Sequence, residues 1–160
     1  YRTLEKISGI FLGRKMYDTV VAMAQNYLAY DSSNVVINPI LGLALHGKKM
    51  YYESYDVFEK SLELGCDKLS GYYYQGLNKL MTGGYYAAWK WFEKAHFYAF
   101  GHFADKEYGE WYGYLHKDGT VSHTQKGSMW KGPFHHPRCL MNCEMILSWL
   151  ENDSEPTSLL

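Results

Sequence analysis

The side chains best able to move a proton near neutral pH crowd one end of the chain. Of seven histidines, five fall between positions 102 and 136: His102, His116, His123, His135 and His136. Carboxylates stand ahead of the last four at Asp105, Glu107 and Glu110, and the cations Lys126, Lys131 and Arg138 stand among and after these histidines. Trp111, Tyr112, Tyr114 and Trp130 supply aromatic faces in the same stretch. Acid, base, cation and aromatic wall together suit a polar, uncharged ligand such as a sugar, whose C–H surfaces lie on rings while its hydroxyls take the charged groups. Two other chemistries fit less well. Cys139 and Cys143 lie four apart beside His135 and His136, but the set follows no recognised zinc spacing, so neither a metal nor any other cofactor is expected. Nothing in the sequence marks an activating partner for a cysteine nucleophile. Surface roles without chemistry account for His116, His123, Lys106 and Glu107, and Trp111 also reads as a simple anchor for the segment around it.

The elements that must position these residues come in two kinds. Trp111 to His116 alternates as a strand does, Asp118-Gly119 is a hairpin turn signal, and 121–124 would be the return strand, which predicts a small β-hairpin over 111–124. A Gly-punctuated loop through Gly127 and Gly132 follows. Pro137 then opens a last helix over 138–150, and a polar tail runs over 151–160. Before residue 102 the chain repeats itself at an offset of 34 residues. Phe58-Glu59-Lys60 falls on Phe92-Glu93-Lys94, Tyr17 on Tyr51 and Tyr85, Met16 on Met50, and Ser8 on Gly42 and Gly76. Units of 1–34, 35–68 and 69–102 follow, each read as two antiparallel helices. The first helix of each ends near Gly13-Arg14-Lys15, Gly47-Lys48-Lys49 or Gly83-Gly84, and the second runs over 18–30, 52–64 or 86–100. Tyr72, Gly76, Ala88, Phe92 and Ala95 occupy positions that resemble the aromatic and small-residue pattern of the tetratricopeptide repeat. That resemblance implies a scaffold holding a protein or peptide partner, on a surface read as mixed polar and aromatic (Asn38, Tyr73, Asn78). The expected class is mainly α, antiparallel helical hairpins forming an α/α toroid segment or a tetratricopeptide-like solenoid. The expected division is 1–102, 103–150 and a tail of 151–160.

Composition narrows the partners. Sixteen basic against seventeen acidic residues give a net charge of -1, without the clustered basic excess a nucleic-acid surface needs. No apolar run approaches the length of a membrane span. Three cysteines, an odd count without framework spacing, point to free thiols in a reducing, cytoplasmic setting. Because the chain begins at Tyr1, missing N-terminal signals carry little weight. An open helical stack leaves apolar ends uncovered, from which a homodimer is an expectation.

One resemblance is more specific. The run Glu107-Tyr108-Gly109-Glu110-Trp111-Tyr112-Gly113-Tyr114-Leu115, then Lys126-Gly127, then Lys131-Gly132-Pro133-Phe134-His135-His136-Pro137-Arg138-Cys139-Leu140, resembles the C-terminal segment of the N-acylglucosamine 2-epimerase family over about 89–150. It implies an (α/α)6 barrel and interconversion of N-acetylglucosamine and N-acetylmannosamine, or of a related sugar, by proton transfer at C2 of the opened ring. It implies His135 as one of two acid/base groups, Arg138 as support for site or substrate, and Glu110, Trp111 and Lys131 around the sugar. No match to the family's second histidine motif is present. A chain of this length supplies five or six helices against the twelve implied. The residues therefore read as a fragment of an epimerase, as an epimerase end joined to tetratricopeptide-like helices, or as a remodelled relative without activity.

Overall fold

A computed structural model describes residues 2–116 and 118–125. The expected loop, last helix and tail, and with them Lys131, His135 and Arg138, lie outside the described residues. The chain divides into two units that part between Gly101 and His102.

In the first unit six helices follow one another: α1 (Arg2–Gly13), α2 (Tyr17–Leu28), α3 (Ile37–Gly47), α4 (Tyr51–Glu63), α5 (Lys68–Met81) and α6 (Tyr85–His102), the last running one residue past the division. The mainly α class is as expected. The period of 34 is visible in the backbone. The second helices begin at Tyr17, Tyr51 and Tyr85, and the residues in the left-handed region that end the first helices are Lys15 (φ 59°), Lys49 (φ 64°) and Gly83 (φ 80°). At each of these turns the next amide donates back across the last helical turn: Met16 to Phe11 O at 2.9 Å, Met50 to Leu45 O at 3.0 Å, Gly84 to Lys79 O at 2.8 Å. This closure satisfies carbonyls that a helix end otherwise leaves without donors.

Packing follows the same period. Phe58 on α4 is 1% exposed and lies so close over Gly42 on α3 that a Cβ there would sit 2.7 Å from its ring. Phe92 on α6 meets Gly76 on α5 in the same way, at 2.5 Å. Glycine is required at both places for close approach. Val20, Ala24, Ile37, Ile40, Leu41, Ala44 and Leu45 form the apolar centre shared by α2 and α3. Side chains cap two helix starts. Asn34 Oδ1 accepts the amides of Val36 and Ile37, and Asp67 Oδ2 accepts that of Ser70 at 2.9 Å.

Two polar side chains expected on a binding surface are in fact inside. Asn38 is 2% exposed and donates to the carbonyls of Ser32 and Asn34, fixing the entry to α3, while Asn78 is 1% exposed and joins α5 to α4. Tyr73 is the member of that set that faces solvent. Gln75, one turn before Asn78, is fully buried, and neither its Nε2 nor its Oε1 has a hydrogen-bond partner among the described residues. An unpaired buried amide costs about 1–3 kcal/mol. Gln75→Met, of similar length, is therefore expected to raise the urea midpoint by a corresponding amount. A lowered midpoint would show that the amide is satisfied inside the protein.

The described residues of the second unit form turns after the end of α6. Where a hairpin over 111–124 was expected, the described residues form two isolated antiparallel bridges, Ala104 with Trp111 and Leu115 with Val121. Leu115 pairs with the expected return segment, and the Asp118-Gly119 turn forms as read, with Gly119 at φ 85°. Trp111 instead pairs backwards, because consecutive left-handed residues at Gly109 (φ 71°) and Glu110 (φ 64°) turn the chain before it. No continuous strand spans 111–115.

Candidate functional site

Of the five residues singled out for a sugar site, Glu110 and Trp111 are described. Phe103 to Asp105 and Glu110 to Tyr112 run antiparallel. The Asp105 amide donates to Glu110 O at 2.9 Å, and that of Tyr112 to Phe103 O at 2.8 Å. Asp105 Oδ1 closes the intervening loop by accepting the amides of Glu107 (2.9 Å) and Tyr108 (3.2 Å), so its carboxylate is committed to the turn. Glu110 sits in the left-handed region, a conformation that costs a non-glycine residue about 1–2 kcal/mol, and its side chain is exposed. Strain of this kind persists where the surroundings hold it, and it concentrates at functional positions. Trp111 is half-buried and stacks on Phe103, ring centroids 6.3 Å apart and planes 22° from parallel. The turn thus sets a strained, solvent-facing carboxylate beside a supported indole.

The two described histidines of the grouped four sit around the next turn. The His116 amide donates to Thr120 O, and His123 Nδ1 lies 2.8 Å from Ser122 Oγ with its ring edge-on to Tyr114. Asp118 Oδ1 accepts both the hydroxyl and the amide of Thr120, at 2.6 and 2.9 Å, and these bonds hold its carboxyl below the usual range. Both imidazoles are exposed, and neither shares a hydrogen bond with a carboxylate among the described residues. No group of three His, Cys, Asp or Glu is placed to hold a metal ion among the described residues.

A second constellation, in the helical unit, was not read from the sequence. Ser54 Oγ donates to Gly42 O at 2.9 Å, Asn78 Nδ2 donates to Ser54 Oγ at 2.9 Å, and Asn78 Oδ1 lies 2.7 Å from His46 Nδ1. A carbonyl can only accept, so each proton along this chain is assigned in turn, and His46 Nδ1 must carry a hydrogen. Tyr51 and Tyr74 meet the imidazole edge-on at 5.3 and 5.5 Å. Nearby, Pro39, Leu43, Phe58, Cys66, Asp67 and Tyr74 border a groove of about 320 Å³. His46 and Asn78 stand 32 positions apart in different repeats, and no short-range pattern links them.

Burial pushes the Cys66 thiol up to about 11, with the neighbouring Asp67 charge adding to the effect. Alkylation by iodoacetamide at pH 7 is therefore expected to be about 100-fold slower at Cys66 than at a thiol with the ordinary value of 9.0, since the thiolate reacts. Peptide mapping of the time course reads this out. Labelling of Cys66 at the rate of a small free thiol in the folded chain would contradict it.

Among the described residues, no helix is long and apolar enough to cross a membrane. The chain matches the family model described as N-acylglucosamine 2-epimerase (GlcNAc 2-epimerase) over residues 52–139, a span that includes Glu110, Trp111, Lys131, His135 and Arg138. It is 52% identical over 68 residues to N-acylglucosamine 2-epimerase of Mus musculus, covering 42% of this chain and 16% of the relative. It is 52% identical over 63 residues to that of Bos taurus, covering 39% and 15%. Against the protein of Homo sapiens the identity is 49% over 59 residues, covering 37% and 14%. The chain spans about a sixth of the length of the curated relatives it matches. No solved structure matches it.

Proposed function

Since this chain belongs to the N-acylglucosamine 2-epimerase family, we propose that it acts on an N-acylated hexosamine, moving a proton at C2 to interconvert N-acetylglucosamine and N-acetylmannosamine or a related pair. The observation that carries the proposal is that all five candidate residues fall inside the family match. In the opened sugar the C2 proton is acidic because a carbonyl adjoins it. A base takes that proton, the C2–H electron pair moves toward the carbonyl carbon, and the carbonyl oxygen becomes an enolate. A proton returned to the opposite face of C2 completes the inversion. His135 is the proposed base or acid on one face. Arg138 would hold the developing oxyanion, and Glu110, Trp111 and Lys131 would orient hydroxyls and pack the sugar face. No resident cofactor is needed for this step. The strained backbone at Glu110 and the stacked Trp111 support a built cleft edge at that turn.

The test is deuterium entry at C2 of N-acetylmannosamine when the chain is incubated with it in heavy water. Mass gain at C2 above the buffer rate supports the proposal, and a rate equal to buffer overturns it for this chain.

A second reading rests on a separate observation. Residues before 52 lie outside the family match, and the three helical hairpins recur every 34 residues with the same turn geometry. In that reading the helical unit is a tetratricopeptide-like scaffold for a protein or peptide partner, or the interface of a homodimer, independent of His135.

A further inference from the structure

We propose that the outer face of α6 docks a second copy of this chain, antiparallel, about a two-fold axis at Glu93. The proposal rests on the second reading above, a homodimer through the helical unit, and gives it a surface and a geometry. Sugar chemistry plays no part in it. Successive residues of a helix turn by about 100°, which gives α6 two opposite faces. Ala88, Phe92 and Ala95 share the inner one: both alanines are buried, and Phe92 lies over Gly76 on α5. Tyr86, Trp89, Glu93, Phe97 and Phe100 share the outer one, within an arc of about 80°. Tyr86 and Phe97 are 74% and 67% exposed, and Trp89 and Phe100 about half. The fold does not call for this aromatic row. Phe97 stands one repeat after Glu63, an exposed carboxylate on α4, so that position of the hairpin takes a charge. A row of exposed rings marks a contact surface.

The spacing of the row selects its occupant. Steps of three, four, four and three residues separate Tyr86, Trp89, Glu93, Phe97 and Phe100, so the row reads the same from either end. A second α6 laid on it in reverse, with Glu93 on the axis, sets Tyr86 against Phe100 of the partner subunit and Trp89 against Phe97 of the partner subunit. Each ring then meets a ring, as a surface that binds its own copy requires. The charges obey the same symmetry. Lys90 Nζ lies 3.2 Å from Glu93 Oε2 and 4.2 Å from the centre of the Trp89 ring, so base and acid both lie on the row. Lys90 is three residues from the axis, about 4.5 Å along the helix. The two Lys90–Glu93 pairs therefore meet at the axis, where each carboxylate stands between its own lysine and Lys90 of the partner subunit. An unrelated peptide has no cause to match a palindrome. Size sets the strength. Eight rings, more than half exposed on average and worth about 150–250 Å² each when fully buried, cover about 700–1,200 Å², the area of a weak, reversible contact.

Sedimentation of the full chain as a function of concentration provides the test, with far-ultraviolet circular dichroism as the check on folding. The chain should form a dimer with a micromolar Kd. Phe97→Glu, which gives α6 the residue type α4 carries at that position, should leave the helical signal unchanged and weaken the dimer about tenfold or more. Lys90→Glu and Glu93→Lys should each weaken it about tenfold by gathering like charges at the axis. The two variants mixed should form a heterodimer at least as tight as the wild-type dimer, because every like pair becomes an opposite one. Photo-crosslinking reads the antiparallel order: benzoylphenylalanine at position 97 should attach to the peptide of the other copy that holds Trp89. A chain monomeric throughout the micromolar range overturns the proposal together with the homodimer reading. A dimer indifferent to Phe97→Glu, a mixture of the two charge variants that stays monomeric, or a crosslink to the peptide of the other copy that holds position 97 overturns the proposal and leaves the homodimer reading standing.

Discussion

Phe58→Ala is expected to destabilise the helical unit by about 3–5 kcal/mol, read as the shift in urea midpoint followed by far-ultraviolet circular dichroism. The ring is 1% exposed, lies over Gly42 with no room for a methyl group between them, and stacks face to face on Tyr74 with planes 3° apart. Truncation leaves a void that the flanking helices cannot close, because Ser54 and Asn78 hold α3, α4 and α5 in register from inside. Typical domains have only about 5–15 kcal/mol of stability, so this loss is a large share. The converse change probes the same contact. Gly42→Ala forces a Cβ to 2.7 Å from the ring and should cost about 1–3 kcal/mol. Combined with Phe58→Leu it should cost less than the sum of the two single changes by at least about 1 kcal/mol, since the second change makes room for the first. Additive effects, or a cost for Phe58→Ala below about 1 kcal/mol, would place the ring outside the core.

The Gly42–Phe58 contact was half visible in the sequence. Small residues at 8, 42 and 76 and aromatics at 58 and 92 recur at the hairpin period, and that period alone locates all three second helices to within a residue or two. The helix ends were legible as the turn stretches 13–15, 47–49 and 83–84, and the left-handed residues stand within them at 15, 49 and 83. What could not be read is whatever depends on two residues distant in the chain. Asn78 looked like a surface polar group because its partners, Ser54 and His46, lie 24 and 32 positions away, whereas Asn38 bonds locally to the Ser32 and Asn34 carbonyls and its residue type alone did not mark it as buried. Gln75 gave no signal at all. In the second unit the alternation of Trp111 to His116 suggested a strand, yet two consecutive left-handed residues just before it redirected the pairing of Trp111 to Ala104. A glycine at 109 hinted at that turn. A glutamate at 110 in the same conformation did not, since glutamate has no preference for the left-handed region.

His135→Gln should lower C2 exchange by about 10²–10⁴-fold, the usual share of a positioned general base or acid, while leaving KM for the sugar nearly unchanged. Glutamine keeps a hydrogen-bonding group of similar reach but cannot take up a proton in this range, so ground-state contacts survive and the transfer does not. Arg138→Gln should behave differently. If the guanidinium stabilises the enolate oxygen, its loss costs about 10²–10³-fold in kcat, since that charge exists only on the way to product. If it holds the sugar in the ground state instead, KM rises and kcat holds. Glu110→Gln, at the strained turn, should act mainly on KM, because in the proposed function its exposed carboxylate orients a hydroxyl and takes no part in the proton transfer. The discriminating measurement is the pH dependence of exchange. A positioned imidazole gives a limb that His135→Gln removes, whereas a structural histidine at that position would leave the shape of the profile intact and merely lower its height. Exchange by His135→Gln at the wild-type rate, with an unchanged profile, would strip His135 of the role and move the search for the base to another residue of the family match.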